Sequence, residues 1–247
     1  MSRLIAFWSP SGAGATALAL NTAAALGAHR AGVVLADLNL VAPSLALAAD
    51  LLPHDRPQSV CLSRLLPALE GGRLTTDELY RSLLQGNGYA LLPGVLDVVA
   101  ACRVSEGHVQ RMLQLLGARY ETVLADLTPA LDSVACLPVL EMADVVCLVV
   151  GPDIGSRFHT RRYMLPVKAM GLDAKCRAVL NRSAQVSGAQ VSADIDLPVA
   201  ATVPDLKIMN GLMDAGMVPY LSQAVHASIR GFKSSIDQLA TLLTQGG

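Results

Sequence analysis

The 247-residue sequence predicts a single α/β domain spanning residues 1–247, built as a doubly wound, mostly parallel sheet with helices on both faces. Three observations lead there. Short β-rich apolar runs alternate along the chain with segments of helical spacing, the pattern that βαβ crossovers leave in a sequence. The composition, 52% hydrophobic and 16% charged, suits strands buried on both faces of one large core. A glycine-rich turn separates the first apolar run from the first helical pattern.

Residues 4–8 (Leu-Ile-Ala-Phe-Trp) read as a short buried strand. The turn Ser9-Pro10-Ser11-Gly12-Ala13-Gly14-Ala15-Thr16 follows, and an Ala/Leu-rich helix over 16–26 should end at Gly27. Further strands are expected at 33–36, 89–92, 122–125, 145–150, 177–180 and 199–203. The stretch from about 51 to 85, with Pro53, Pro57, Pro67 and the pair Gly71-Gly72, contains helices without a strand between them and reads as an elaboration on the sheet. Ser105 is a candidate N-cap for a helix whose stripe is Val109, Met112, Leu113 and Leu116. If Ser156 caps the next basic segment, Arg157-Phe158-His159-Thr160-Arg161-Arg162, then Arg157 and Arg161 lie one turn apart on one face. That face is either solvated or a docking surface for a protein or nucleic acid. Residues 222–243 place Val225, Ile229, Phe232, Ile236, Leu239 and Leu243 on one stripe. A helix packed on the sheet is favoured over a membrane anchor, because its last turns carry no Lys or Arg to attract anionic lipid.

Composition excludes several classes. A net charge of −1 does not advertise nucleic acid as a partner. The Ala-rich stretch 13–28 is shorter than the roughly 20 residues of a membrane span and contains Thr16, Asn21 and Thr22. The N-terminal apolar run is too short for a signal peptide, so a cytoplasmic protein is expected. The five cysteines, Cys61, Cys102, Cys136, Cys147 and Cys176, show no metal-ligand spacing and are expected to be reduced core residues.

The first turn resembles a phosphate-binding loop that lacks its lysine. In the pattern G-x-x-x-x-G-K-[ST], glycines let backbone N–H groups wrap phosphate oxygens, the lysine neutralises them and the hydroxyl holds Mg²⁺. Here Gly12, Gly14 and Thr16 remain while Ala15 replaces the lysine. Ligands of open α/β sheets bind at the carboxyl ends of strands. Asp37 and Asn39 are expected to follow the second strand, Asp126 the fourth, and Asn181 to end the sixth; alone, each could be an ordinary cap.

The succession Gly12-Ala13-Gly14-Ala15-Thr16, Asp37-Leu38-Asn39, Asp126-Leu127-Thr128-Pro129, Ala143-Asp144-Val145, Asn181-Arg182, Val203-Pro204-Asp205 and Gly216-Met217-Val218-Pro219 resembles the MinD/ParA family of deviant Walker A P-loop ATPases over nearly the whole chain. Within it, Ala15 before the loop threonine and Leu91-Leu92-Pro93-Gly94 are most similar to the CpaE/TadZ pilus-assembly branch. The resemblance implies ATP or ADP with Mg²⁺ as cofactors. It implies that Ser11, Gly12, Ala13, Gly14, Ala15, Thr16, Ala17, Asp37 and Asp126 surround the phosphates, with Thr16 and Asp126 at the metal. Asn181, Arg182, Pro204 and Asp205 are implied around the adenine. It also implies a homodimer, a protein partner in a pilus or secretion system, and recruitment to a pole or the inner membrane.

Three positions depart from the family pattern. Pro10 stands where the signature lysine would cross to a dimer partner, Ala15 where the in-cis lysine would be, and Asn39 where an aspartate orients water. Each lost charge-assisted hydrogen bond costs about 1.5–3 kcal/mol, or roughly 10- to 100-fold in affinity. Weakened nucleotide binding with negligible hydrolysis is therefore expected, since phosphoryl transfer depends on positioned positive charge. A working ATPase in cell division, flagellar placement or DNA partitioning, and a nucleotide-free scaffold, are the alternatives.

Overall fold

The computed structural model describes residues 2–53, 61–183, 186–223 and 226–245. Among them one eight-stranded sheet is formed by β1 (Arg3–Trp8), β2 (Val33–Leu38), β3 (Leu84–Gln85), β4 (Ala90–Leu92), β5 (Thr122–Leu127), β6 (Val145–Val150), β7 (Cys176–Ser183) and β8 (Val199–Pro204). The spatial order is β3-β4-β2-β5-β1-β6-β7-β8, parallel throughout except for β3 against β4. The helices are α1 (Ala15–His29), α2 (Leu45–Ala48), α3 (Leu66–Glu70), α4 (Thr76–Arg81), α5 (Val98–Ala101), α6 (Glu106–Gly117), α7 (Cys136–Met142), α8 (Ile154–Ala169), α9 (Gly188–Ile195), α10 (Met209–Asp214) and α11 (Ala227–Thr244).

Strand alternation divides the core into two layers. Ile5, Phe7, Leu35, Leu124, Cys147 and Val149 face α1 and α11, while Trp8, Ala36, Leu38, Val123, Val146 and Leu148 face α6, α7, α8 and α9. The central strand β1 is hydrogen-bonded to β5 on one side and β6 on the other. Its carboxyl end is therefore where the winding changes direction, and the loop from β1 to α1 sits at that point.

Several expectations need correction. The second and fifth strands run on to Leu38 and Leu127, so Asp37 and Asp126 do not follow strands but are the paired residues of adjacent ones. The first helix runs through Gly27 to His29. Gly27 is small because a Cβ there would meet Gly88 backbone atoms at 2.5 Å, so the two glycines let α1 touch the chain before β4. The hairpin pairing of β3 with β4 was not anticipated, and β4 starts one residue later than Tyr89. Ser156 is not a cap: α8 begins at Ile154, and Asp153 accepts the Ser156 N–H at 2.8 Å. Cys102 is exposed, unlike the other four cysteines.

Other expectations hold in detail. Ser105 caps α6 in a reciprocal box with His108, and the expected stripe is buried with Leu115. Ile229, Phe232, Ile236, Leu239 and Leu243 bury α11 against the sheet and α1; Val225 lies outside the described residues, as does Pro57. No helix among the described residues is long and apolar enough to cross a membrane.

Candidate functional site

The β1–α1 turn is shaped by two glycines in left-handed backbone, Gly12 at φ 68° and Gly14 at φ 97°, the latter being the N-cap of α1. The first of these has open space around it. A Cβ on Gly14, by contrast, would lie 2.7 Å from Asn181 Nδ2. Side chains brace the turn from several directions. The Ser9 carbonyl accepts the Gly12 N–H at 3.1 Å, and its hydroxyl accepts the Ala13 N–H at 2.8 Å. Asn181 Nδ2 donates to the Ala13 carbonyl at 2.8 Å, while Asn181 Oδ1 accepts the Arg182 N–H at 3.0 Å. The Ser11 and Ser156 hydroxyls are 2.6 Å apart, and the Ser156 hydroxyl accepts the Gly151 N–H at 2.7 Å.

What remains open is the start of α1. The N–H groups of Gly14, Ala15, Thr16 and Ala17 donate to no acceptor among the described residues; the first N–H taken up by the helix is that of Leu18, bonded to the Gly14 carbonyl at 3.1 Å. Unsatisfied donors and the helix dipole together make this end of α1 attractive to an anion.

Beneath the loop lie two carboxyls. Asp126 is completely buried; its Oδ2 accepts the Thr16 hydroxyl at 2.7 Å, and its Oδ1 has no hydrogen-bond partner among the described residues. Burial first and the charge of neighbouring Asp37 second hold Asp126 well above the usual carboxylate range, against the opposing Thr16 hydrogen bond. Asp37 Oδ2 accepts the Ser44 and Leu45 N–H groups at 3.0 Å each, and Oδ1 accepts that of Asn39 at 3.3 Å. These donors hold it down, yet burial still pushes its pKa up to about 6. An unpartnered buried carboxyl oxygen beside the Thr16 hydroxyl is a pair of hard oxygen donors of the kind Mg²⁺ takes, and a bound cation would favour the ionised form of Asp126. Thr16 and Asp126 are the residues that would hold a divalent cation here.

Fit to the phosphates themselves is divided. Backbone geometry is present, but charge is not: Ala15 and Pro10 are buried, and no charged residue lies between Arg3 and His29. Asn39 points into its own turn, where its Oδ1 accepts the Val41 N–H at 3.3 Å and the Ala42 N–H at 3.1 Å.

A cavity of about 400 Å³ opens beside the loop. It brings together Gly14, Ala17, Asn181, Arg182, Pro204 and Asp205, six positions that the sequence places in one ligand site. Arg182 takes a left-handed backbone (φ 57°) at the end of β7. Leu206, Lys207, Met209 and Asn210 also line the cavity and were not anticipated. Their position directly after Pro204-Asp205 was the available signal. Ser9 was missed as a brace although its partners Gly12 and Ala13 lie in the same turn, and Ser156 because nothing in the spacing reveals a contact with Ser11 145 residues away.

No protein-family model and no curated relative matches the sequence. Solved structures do match the fold. The ParA family ATPase from Chlorobium tepidum TLS superposes with a TM-score of 0.81 at 19% identity, covering 97% of this chain and 99% of that one. The septum site-determining protein MinD from Pyrococcus horikoshii OT3, complexed with Mg-ADP, gives 0.78 at 18% identity over 99% and 97%. A plasmid partition protein from Borrelia burgdorferi B31 bound to AMPPNP gives 0.74 at 13% over 98% and 99%. Fold and strand order together establish a MinD/ParA-type P-loop NTPase architecture over the whole described chain.

Proposed function

We propose that this protein is a degenerate MinD/ParA-like nucleotide-binding protein that acts as a positioning or assembly factor and hydrolyses ATP negligibly. The carrying observation is the loop itself: four N–H groups at the start of α1 have no acceptor among the described residues and lie by the Thr16–Asp126 pair, while the loop and α1 contain no Lys or Arg. In this reading Gly14, Ala15, Thr16 and Ala17 cradle phosphate, Thr16 and Asp126 hold Mg²⁺, and Asn181, Arg182, Pro204 and Asp205 flank the adenine. Solved proteins of this fold named as bound to Mg-ADP and to AMPPNP support the ligand class. Steady-state phosphate release tests the lack of hydrolysis. Turnover that Asp126→Ala abolishes would overturn it.

The partner side of the proposal is a homodimer with loop faces opposed, plus a protein partner in pilus or secretion-system assembly that recruits a cytoplasmic protein to a pole or the inner membrane. Apolar side chains exposed after the carboxyl ends of several strands support a contact face there: Val41 is 77% exposed, Val98 79%, Val99 73% and Ile154 79%. The MinC:MinD complex from Aquifex aeolicus, of the same fold, supports a protein partner. Because Pro10 removes the cross-dimer lysine, association should respond weakly to nucleotide; sedimentation with and without Mg-ATP measures this, and a strict monomer in both conditions would refute the dimer.

A nucleotide-free scaffold is the second reading. It is favoured by one observation, that the Gly12 and Ala13 N–H groups are already bonded to Ser9. Calorimetric titration with ATP and ADP separates the two.

A further inference from the structure

The ranking of nucleotides at this site can be derived from where charge stands around it, a step that rests on the nucleotide-binding reading above. Residues 31–53 and 122–156 supply the segments beyond β2, β5 and β6, and they contain acids but no Lys or Arg. The loop and α1 contain no charge at all until His29. Within the loop, α1 and these segments, the positive contribution is therefore the helix start alone, equivalent to about half a unit charge. It faces Asp126, whose Oδ1 has no partner among the described residues. Arg182 and Lys207 line the other part of the cavity, with Asp205 between them in the chain, and neither cation has an ion-pair partner among the described residues.

We infer that the site selects nucleotides with few phosphates: without a divalent cation, a nucleoside diphosphate or monophosphate binds at least as tightly as the triphosphate. In a lysine-bearing phosphate loop the lysine reaches the β- and γ-phosphates, so each added terminal phosphate meets a positive charge. Here the N–H cradle serves the first phosphates, and each later one adds negative charge that no loop lysine meets. Arg182 and Lys207, which line the cavity shared with Gly14 and Ala17, are available to all three ligands.

The experiment is isothermal titration of the full chain with AMP, ADP and ATP, first in EDTA and then in Mg²⁺. In EDTA, ADP should bind as tightly as ATP or tighter, and Arg182→Gln/Lys207→Gln should weaken all three by about tenfold. ATP binding ten times tighter than ADP in EDTA would overturn the inference while leaving the nucleotide-binding reading standing. Absence of binding by any nucleotide in either buffer would overturn that reading, and the inference with it. Ala15→Lys supplies the missing charge and should move the order toward ATP by about tenfold. If the folded variant keeps the wild-type ADP-to-ATP ratio, loop charge does not set the order. Should the variant fail to fold, the wild-type titration alone decides.

Discussion

The two ends of the candidate site are built from different materials. At the loop end, recognition is carried by backbone: Gly12 and Gly14 set the turn, and N–H groups point outward from α1. At the cavity end it is carried by side chains, with Arg182, Asp205 and Lys207 at the rim and Asn181 reaching back to the loop. The difference teaches which part of such a site the fold itself maintains. A backbone cradle depends on glycine conformation and on the strand-turn-helix order that the fold itself needs, so it stands here with Ala15 and no lysine in the loop. Side-chain charge has no such structural anchor.

The strongest way to break the loop end is Gly14→Val. A branched residue at φ 97° costs about 1–3 kcal/mol in backbone strain, before the clash with Asn181 is counted. The expected result is a melting temperature lower by several degrees and complete loss of nucleotide response in the same thermal-shift assay. An unchanged response would place the ligand elsewhere.

Protonation gives the next largest effect. A carboxyl whose pKa is raised on folding favours the folded state only while protonated, so its contribution is present below the ordinary value of 3.8 and is lost as pH rises through about 6. For Asp37 the difference is worth about 3 kcal/mol at neutral pH. Stability of the ligand-free protein should fall between pH 4 and pH 7, and Asp37→Asn should flatten that fall. Denaturant titrations across this range measure it; parallel curves for both proteins would count against the assignment.

Asn181→Ala addresses the joint between the two ends. It leaves the buried Ala13 carbonyl without its donor, at a cost of about 1–3 kcal/mol, and nucleotide affinity should drop about tenfold. If affinity falls without any loss of stability, Asn181 contacts ligand more than it braces the loop.

The smallest effect belongs to Asp194→Asn on α9, which removes the partner of Arg157 on α8. Arg157 is mostly buried and Asp194 is 43% exposed, so stability should change by no more than about 1 kcal/mol. Nucleotide binding should not change at all. A large binding effect would mean that the α8–α9 surface reports to the loop.

Legibility from sequence followed the same division. The sheet could be read because apolar runs of strand length alternate with helical stripes, and α6 could be read down to its Ser105 cap. The short strand β3 could not, since two residues carry no periodicity, and Gly27 misled because a glycine needed for backbone contact with Gly88 looks the same as a helix terminator. Of the cavity residues, Asn181 was legible as a position at a strand end and Gly14 as part of the glycine turn, while Ala17, Arg182, Pro204 and Asp205 were legible only through the family resemblance. The bracing roles of Ser11 and Ser156 were not, because they arise only when the β1 and β6 ends are brought side by side.

Those serines bear on when the loop becomes rigid. With the Ser9 hydroxyl on the Ala13 N–H and Ser11 tied to Ser156, the turn is a closed ring before any ligand arrives. Its conformational freedom is therefore lost during folding rather than at binding, and association carries little ordering entropy. A ligand held by so few charges would still meet a site already in its bound shape, so association should be fast and weak complexes should form by rapid exchange rather than by slow closure.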